Sequence, residues 1–313
     1  MTSPSPYGAG PGLEPVCPRH PDRVAYVRCQ RCERPVCPEC QRPAAVGVQC
    51  VDCVREQAKS MPRTRTVFGG RASTDERPLV TQSIIAICVA VFAVQHLGGT
   101  RITAELSFFP PEAVAQPYRF LTVAFLHSPT SLLHIAFNLY ALWIVGPYLE
   151  RLLGRLQFAV LYLLAAVGGS VGSYLLVDPY SEAWFARAWG ASGAVFGLFG
   201  AFVVLNRRLG RDTTAVVGVM VVNGVIGFLP GLDIGWQAHL GGLVVGVLTA
   251  AAIAYVPRER VRLRWAAFAA VAVLLVVLVA LRTQGLPAGA VVPGPLSTLW
   301  TGGVDNTSVI PQL

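Results

Sequence analysis

The chain predicts an all-α, polytopic membrane protein with a small metal-binding module at its N-terminus, and three observations carry that prediction. Hydrophobic residues make up 53% of the 313 residues and charged residues only 13%, whereas soluble domains carry roughly 25% charged residues. The apolar residues gather into runs free of Asp, Glu, Lys and Arg, each close to the ~20 residues a helix needs to cross a bilayer core. Seven of the eight cysteines fall between Cys17 and Cys53.

The runs define seven spans, at 79–97, 132–149, 156–177, 190–206, 213–230, 236–256 and 265–282. Arginines orient them. The segment before the first span (Arg63, Arg65, Arg71, Arg77) and the turns holding Arg151 and Arg155, Arg207, Arg208 and Arg211, and Arg258, Arg260, Arg262 and Arg264 all fall on one side. The other side has Arg101, Arg119, Arg187 and the edge residue Arg282. The positive-inside rule therefore places the N-terminus in the cytoplasm and the C-terminus outside a cell membrane. A net charge of +8 raises the question of nucleic acid. The charge sits beside spans and forms no basic stripe with interleaved aromatics, so no nucleic-acid partner is expected. Lys59 is the lone lysine, an arginine bias expected of a bacterial genome.

Residues 1–15 are rich in Pro, Gly and Ser, lack the basic and apolar regions of a signal peptide, and are expected to be disordered. Residues 16–54 hold four pairs with two-residue gaps: Cys17 and His20, Cys29 and Cys32, Cys37 and Cys40, Cys50 and Cys53. A gap of two lets both side chains of a pair reach one ion, and eight soft ligands suit two tetrahedral zinc sites. A disulfide knot is the alternative. A histidine in one of the eight positions and the cytoplasmic placement favour zinc. So small a module has little core, so structural zinc would supply its folding energy. Residues 55–78 read as a polar linker, and the Gly/Pro-rich 283–313 as a disordered tail.

The outer segment 98–131 carries Phe108, Phe109, Tyr118 and Phe120 among prolines, which suits partial burial in the membrane interface. Polar residues within spans are costly and therefore informative. Ser192 and His239 each stand three residues past a tryptophan (Trp189, Trp236), about 4.5 Å inside the outer face. His134 has a similar depth in the second span, and Asn138 lies one turn deeper on the same helix face. Four polar groups thus share one shallow layer. Gly193-xxx-Gly197 and Gly242-xxx-Gly246 are small-residue faces that let membrane helices approach closely. A hydroxyl on one helix and an imidazole on the next then form a nucleophile and base pair. His127, just before the second span, reads as peripheral, and Asn223, His96 and Cys88 as packing residues.

Gly190-Ala191-Ser192-Gly193 and Ala238-His239-Leu240-Gly241-Gly242 resemble the nucleophile and histidine motifs of the rhomboid intramembrane serine proteases. His134-xxx-Asn138 is similar to that family's oxyanion pair, and Tyr118-Arg119 to its Trp-Arg, with Tyr in place of Trp. Glu150 with Gly154 resembles a structural turn of the family. Phe196 occupies the place of an aromatic that packs on the catalytic imidazole. The resemblance covers about residues 79–256 and implies a six-helix rhomboid core, with 257–282 as an added seventh helix. It further implies a Ser192–His239 dyad cleaving transmembrane segments of membrane proteins in the bilayer, with no cofactor in catalysis. A silent rhomboid-like scaffold that binds membrane helices is the alternative. The cysteine array resembles a B-box or other cross-brace finger, which implies that the first and third pairs share one metal and the second and fourth the other. Its expected partner is a cytoplasmic protein.

Overall fold

The computed structural model describes residues 14–60, 65–72, 77–98, 100–226 and 235–291. The chain forms two compact units, residues 1–63 and 64–313.

The first unit is built around its cysteines. Strands β1 (Val16–Cys17) and β2 (His20–Val24) pair antiparallel, as do β3 (Gln41–Pro43) and β4 (Val48–Cys50), and helix α1 (Val51–Ser60) follows directly. Its buried core is six cysteines with Ala25 and Val36, and the half-buried Cys32, Val48 and Val51 pack against it. The helix runs six residues past the expected boundary at 54, because Val51 and Cys53 anchor its first turn to the cysteine core and its polar remainder needs no further burial.

The second unit is a helix bundle. The spans are α2 (Leu79–Leu97), α5 (Leu132–Leu153), α6 (Arg155–Leu176), α7 (Ser192–Arg208), α8 (Thr214–Ile226), α9 (Trp236–Tyr255) and α10 (Val261–Gln284). Among the described residues, five of these are long and apolar enough to cross a bilayer by themselves; α7 and α8 are shorter. The chain is a multi-pass membrane protein. Its core lies among α5, α6, α7 and α9, with Leu142, Leu149, Phe158, Leu161 and Leu198 fully buried. The fifth expected span continued to 230, and its last residues lie outside the described ones, as do 1–13 and 292–313.

Buried polar groups tie the arginine-rich end together. The Glu150 carboxylate accepts from the Val80 and Thr81 amides at 2.9 and 2.8 Å and from the Thr81 hydroxyl at 2.8 Å. It thereby satisfies amides that open α2 without a partner of their own. Gly154 turns the chain from α5 to α6 at φ +82, with the Arg71 carbonyl where a Cβ would stand. Residues 65–71, expected as plain linker, form a small turn closed by an Arg65–Arg71 bridge, and Phe68 is buried in the bundle core. The fully buried Arg264 donates to the Phe68 and Val256 carbonyls and holds that turn.

The other end is capped by residues 100–131. Helices α3 (Thr100–Leu106) and α4 (Arg119–Thr122) flank a short 3-10 turn at Pro110–Glu112. Arg119 is the hub. It pairs with Glu112 at 2.9 Å, both nearly fully buried, and donates to the Ala104 and Ser107 carbonyls at 2.7 Å. Residues 283–291, expected as part of a disordered tail, pack against the bundle. Arg282 donates to the Val177 carbonyl, Thr283 meets the Tyr174 hydroxyl, and the buried Trp184 indole donates to the Ala290 carbonyl at 2.9 Å. A buried Trp184 indole needs an acceptor, and the Ala290 carbonyl supplies it.

Candidate active site and metal centres

Three helices meet with almost no side chain between them. A Cβ on Gly242 of α9 would collide with the Gly193 carbonyl of α7, and one on Gly246 with the Gly197 carbonyl. A Cβ on Gly193 would stand 3.2 Å from the Ala238 carbonyl and 3.1 Å from the Gly169 Cα of α6. Backbone-to-backbone contact of this kind is what small residues permit in a membrane. It sets the first turn of α7, which begins at Ser192, against the first turn of α9, which holds His239.

The imidazole is pinned on α7. The rings of His239 and Phe196 stack with centroids 4.2 Å apart and planes 8° apart, and Phe196 lies one turn past Ser192. Among the described residues, no hydrogen bond joins the Ser192 hydroxyl to His239; they neighbour each other across the α7–α9 contact.

His134 stands on the other side of Ser192. Gly190, at φ +137, has the His134 Nε2 at 3.1 Å and the Ser192 Oγ at 3.6 Å from its Cβ position. Any side chain there would fill the space between hydroxyl and imidazole, and the φ itself suits only glycine. The Gly190 amide donates to the Val123 carbonyl at 3.1 Å, so the outer segment holds this turn. The Ser128 amide donates to His134 Nδ1 at 3.1 Å. A backbone N–H can only donate, so Nδ1 is the acceptor and the proton of the neutral ring sits on Nε2, facing Ser192. Asn138 is buried and donates from Nδ2 to the His134 carbonyl at 2.8 Å, leaving its second N–H. Of the four polar groups expected to share a layer, Ser192 and His134 border one space, His239 lies against α7, and Asn138 braces His134 from one turn deeper.

Two participants escaped sequence reasoning. Ser128 acts through its backbone, and no residue type advertises a backbone amide. Gln95 in α2 holds His127 through both main-chain groups, Nε2 to the carbonyl at 3.1 Å and Oε1 from the amide at 3.2 Å. A buried glutamine in a span is a legible signal, and its neighbour His96 is exposed. The His127 ring is fully buried 5.5 Å from that of His134. Burial, with His134 beside it, brings its pKa down to about 4.

In the first unit the ligand atoms form two groups, Cys17, His20, Cys37 and Cys40, and Cys29, Cys32, Cys50 and Cys53. All seven cysteines are free. Within each group the ligand atoms lie within 4.8 Å of one another. His20 Nδ1 is 3.2 and 3.4 Å from the Cys37 and Cys40 sulfurs, and the Cys32 and Cys50 sulfurs are 3.8 Å apart. A tetrahedron with bonds near 2.3 Å has edges of about 3.8 Å, so both groups fit a tetrahedral ion. Burial raises the Cys17 and Cys29 thiols, but surrounding backbone N–H donors outweigh it and bring both down to about 6. Burial and the neighbouring Cys17 and Cys37 push Cys40 up to about 11. His20 Nε2 lies 4.0 Å from a Glu39 carboxylate oxygen, and Glu39 itself pairs with Arg23 at 2.7 Å.

Comparison with known proteins agrees with both units. Residues 14–44 match the B-box zinc finger family model and residues 114–256 the rhomboid domain. The chain is 34% identical over 188 residues to rhomboid protease GluP of Bacillus subtilis, covering 56% of this chain and 35% of that protein. It is 30% identical over 181 residues to rhomboid protease GlpG of Pectobacterium atrosepticum, 55% of this chain and 61% of that one. With rhomboid protease GlpG of Haemophilus influenzae the identity is 31% over 180 residues, 54% of this chain and 88% of that protein. The match thus spans about a third of the first relative and three fifths of the second, but nearly all of the third. A helix bundle with a relative 31% identical and matched over 88% of that relative's length places this chain in the rhomboid family.

Proposed function

We propose that this chain is an intramembrane serine endopeptidase with Ser192 as nucleophile and His239 as base. The observation that carries the reading is the glycine-on-carbonyl contact of α7 and α9, with His239 stacked on Phe196 one turn from Ser192. Ser192 attacks the scissile carbonyl as His239 takes its proton, then returns it to the leaving amine. The hydroxyl and imidazole close to hydrogen-bond range when substrate arrives, as catalytic contacts left long in a free enzyme commonly do. Among the described residues no carboxylate is hydrogen-bonded to His239, and the buried Glu150 of α5 is engaged with the amides that open α2; the Phe196 stack orients the imidazole instead. Three donors converge on the oxyanion: the His134 Nε2–H, the remaining Asn138 N–H, and the Ser192 amide at the positive end of α7. Each such donor contributes about 3 kcal/mol to the transition state in a water-poor site.

The substrate is a transmembrane segment of another membrane protein, unwound where it is cut, because an intact helix hides its carbonyls in its own hydrogen bonds. Access from the α5 and α8 side fits the packing: α8 sits chiefly on α7 and turns Val219, Val221, Val222 and Val225 outward. The N-terminal module binds two zinc ions, through the two ligand groups, for structure rather than catalysis. The arginine-rich end and that module face the cytoplasm, where a protein partner of the module is expected, and α10 ends outside. The domain limits are those of the sequence, 16–54 for the module and 79–256 for the protease core, with the module's helix extending to 60.

One observation favours a second reading, a silent scaffold that binds membrane helices: no direct hydrogen bond joins Ser192 and His239. A fluorophosphonate probe separates the two. The full chain in detergent should be labelled at Ser192, and Ser192→Ala should not. His239→Ala should lose at least a thousandfold in cleavage of a tagged single-span protein while inserting normally. Equal labelling of wild type and Ser192→Ala leaves only the scaffold.

A further inference from the structure

The two ligand groups of the N-terminal unit differ in charge. A dication held by four thiolates keeps a net charge of about −2, and one held by three thiolates and a neutral imidazole about −1. Cys29, Cys32, Cys50 and Cys53 form the four-thiolate group, and Cys17, His20, Cys37 and Cys40 the mixed one. Surplus negative charge makes the sulfurs better nucleophiles, since the thiolate is the form that reacts. By charge alone the four-thiolate site would be the first to lose its metal to an oxidant or an electrophile.

Arg34 stands against that charge. Glu33 takes φ +59 and the Cys29 amide donates to the Arg34 carbonyl at 3.0 Å, so a tight turn brings Arg34 back beside Cys32. Its Nε donates to the Cys32 sulfur at 3.3 Å and its Nη2 to the Cys50 sulfur at 4.0 Å. These two nitrogens leave the guanidinium along one edge, a fork that spans two acceptors as an ammonium cannot. Cys32 belongs to one pair of the site and Cys50 to the other, so the fork ties the two halves together. The remaining nitrogen, Nη1, lies 3.9 Å from one oxygen of Asp52, whose other oxygen is closer to Arg19 at 3.3 Å. Asp52 therefore takes only part of the Arg34 charge. The mixed site is different. Among the described residues no arginine or lysine side chain donates to the Cys17, Cys37 or Cys40 sulfurs, and Arg23, a cation near Cys37, is paired with Glu39 at 2.7 Å.

We propose that Arg34 is the positioning residue of the four-thiolate site: it clamps Cys32 to Cys50, offsets the surplus charge and so keeps this metal from being released first. The inference rests on the zinc reading of the unit and is independent of the protease chemistry. Arg31 is the contrast within the same knuckle. It carries the same charge between Cys29 and Cys32, but its side chain donates to the Cys53 carbonyl at 3.2 Å and to no ligand sulfur.

The test uses the full zinc-loaded chain in detergent, with iodoacetamide as the electrophile and a chromogenic chelator to time zinc release. Alkylated cysteines are mapped by mass spectrometry, which assigns each released ion to its site. Arg34→Gln should lose one of its two zinc ions about tenfold faster than wild type, with alkylation starting at Cys29, Cys32, Cys50 and Cys53. The other ion should leave at the wild-type rate. Arg34→Lys keeps the charge without the fork and should release at a rate between the two, and it carries the test should Arg34→Gln not fold. Arg31→Gln should release zinc as wild type does. Release from Arg34→Gln at the wild-type rate overturns the proposal. So does equal acceleration at both sites, or the same acceleration in Arg31→Gln, since each would mean a general loosening of the unit. A wild-type chain that holds no zinc would overturn the zinc reading and this inference with it, whereas two bound ions and unaltered release in Arg34→Gln overturn this inference alone.

Discussion

The imidazole of His239 lies face to face on the ring of Phe196, with planes 8° apart. Because Phe196 and Ser192 share helix α7, the stack sets the imidazole relative to the hydroxyl through one rigid element. Aromatic stacking of this kind contributes about 0.5–1.5 kcal/mol.

Removing the stack should therefore loosen the base without removing it. Phe196→Ala is expected to lower kcat by about tenfold, with a smaller change in KM, and to slow fluorophosphonate labelling of Ser192 to the same degree. Phe196→Tyr keeps the ring and should recover most of the rate. Wild-type kinetics in Phe196→Ala would show that the base is oriented by something else.

Gly190 tests the space between Ser192 and His134. Gly190→Ala places a methyl 3.0–3.1 Å from the His134 ring at φ +137. Such a backbone position costs a side-chain-bearing residue about 1–3 kcal/mol. Cleavage should fall more than a hundredfold and the thermal midpoint should drop by a few degrees. An active, equally stable Gly190→Ala would mean that this turn does not bound the site.

His127 makes stability depend on acid. Burial holds its folded pKa at about 4 against an ordinary value of 6.5, so between these values the unfolded chain binds more protons. The contribution is whole above pH 6.5 and is lost as pH falls towards 4. Thermal midpoints of the detergent-solubilised chain should decline across that window, and His127→Phe should flatten the slope. The same slope in His127→Phe would assign it to other groups.

The ligand groups predict two metal ions per chain. Elemental analysis of the purified protein should find about two zinc atoms, and Cys37→Ser with Cys40→Ser about one. A strong chelator should unfold the module, and a reductant should leave it folded, the reverse of a disulfide scaffold. Fluorophosphonate labelling of Ser192 should survive the chelator, since zinc is assigned no part in catalysis. A metal content below about one per chain would remove the zinc assignment.

Orientation can be read with reporters. A fusion after residue 60 should report a cytoplasmic location and one after residue 290 an outside one. An external N-terminal reporter would invert the bundle and place the cysteines where zinc is less favoured.

Much was legible in the sequence because a bilayer makes local composition decisive. An uninterrupted apolar run becomes a helix wherever it lies, so α2 begins and ends where its run does, at Leu79 and Leu97. Two-residue gaps likewise declare the metal-ligand pairs, since both side chains of a pair must reach one ion. A common depth for Ser192, His239 and His134 is what residue numbers alone lead one to expect. What the chain could not declare were contacts between distant main-chain and side-chain atoms. The tautomer of His134 depends on the Ser128 amide, the start of α2 on the Glu150 carboxylate some seventy residues away, and the ordered stretch to Ala290 on the Trp184 indole. Each is a buried polar group that must find a partner once water is excluded, and only the packed bundle decides which partner is within reach.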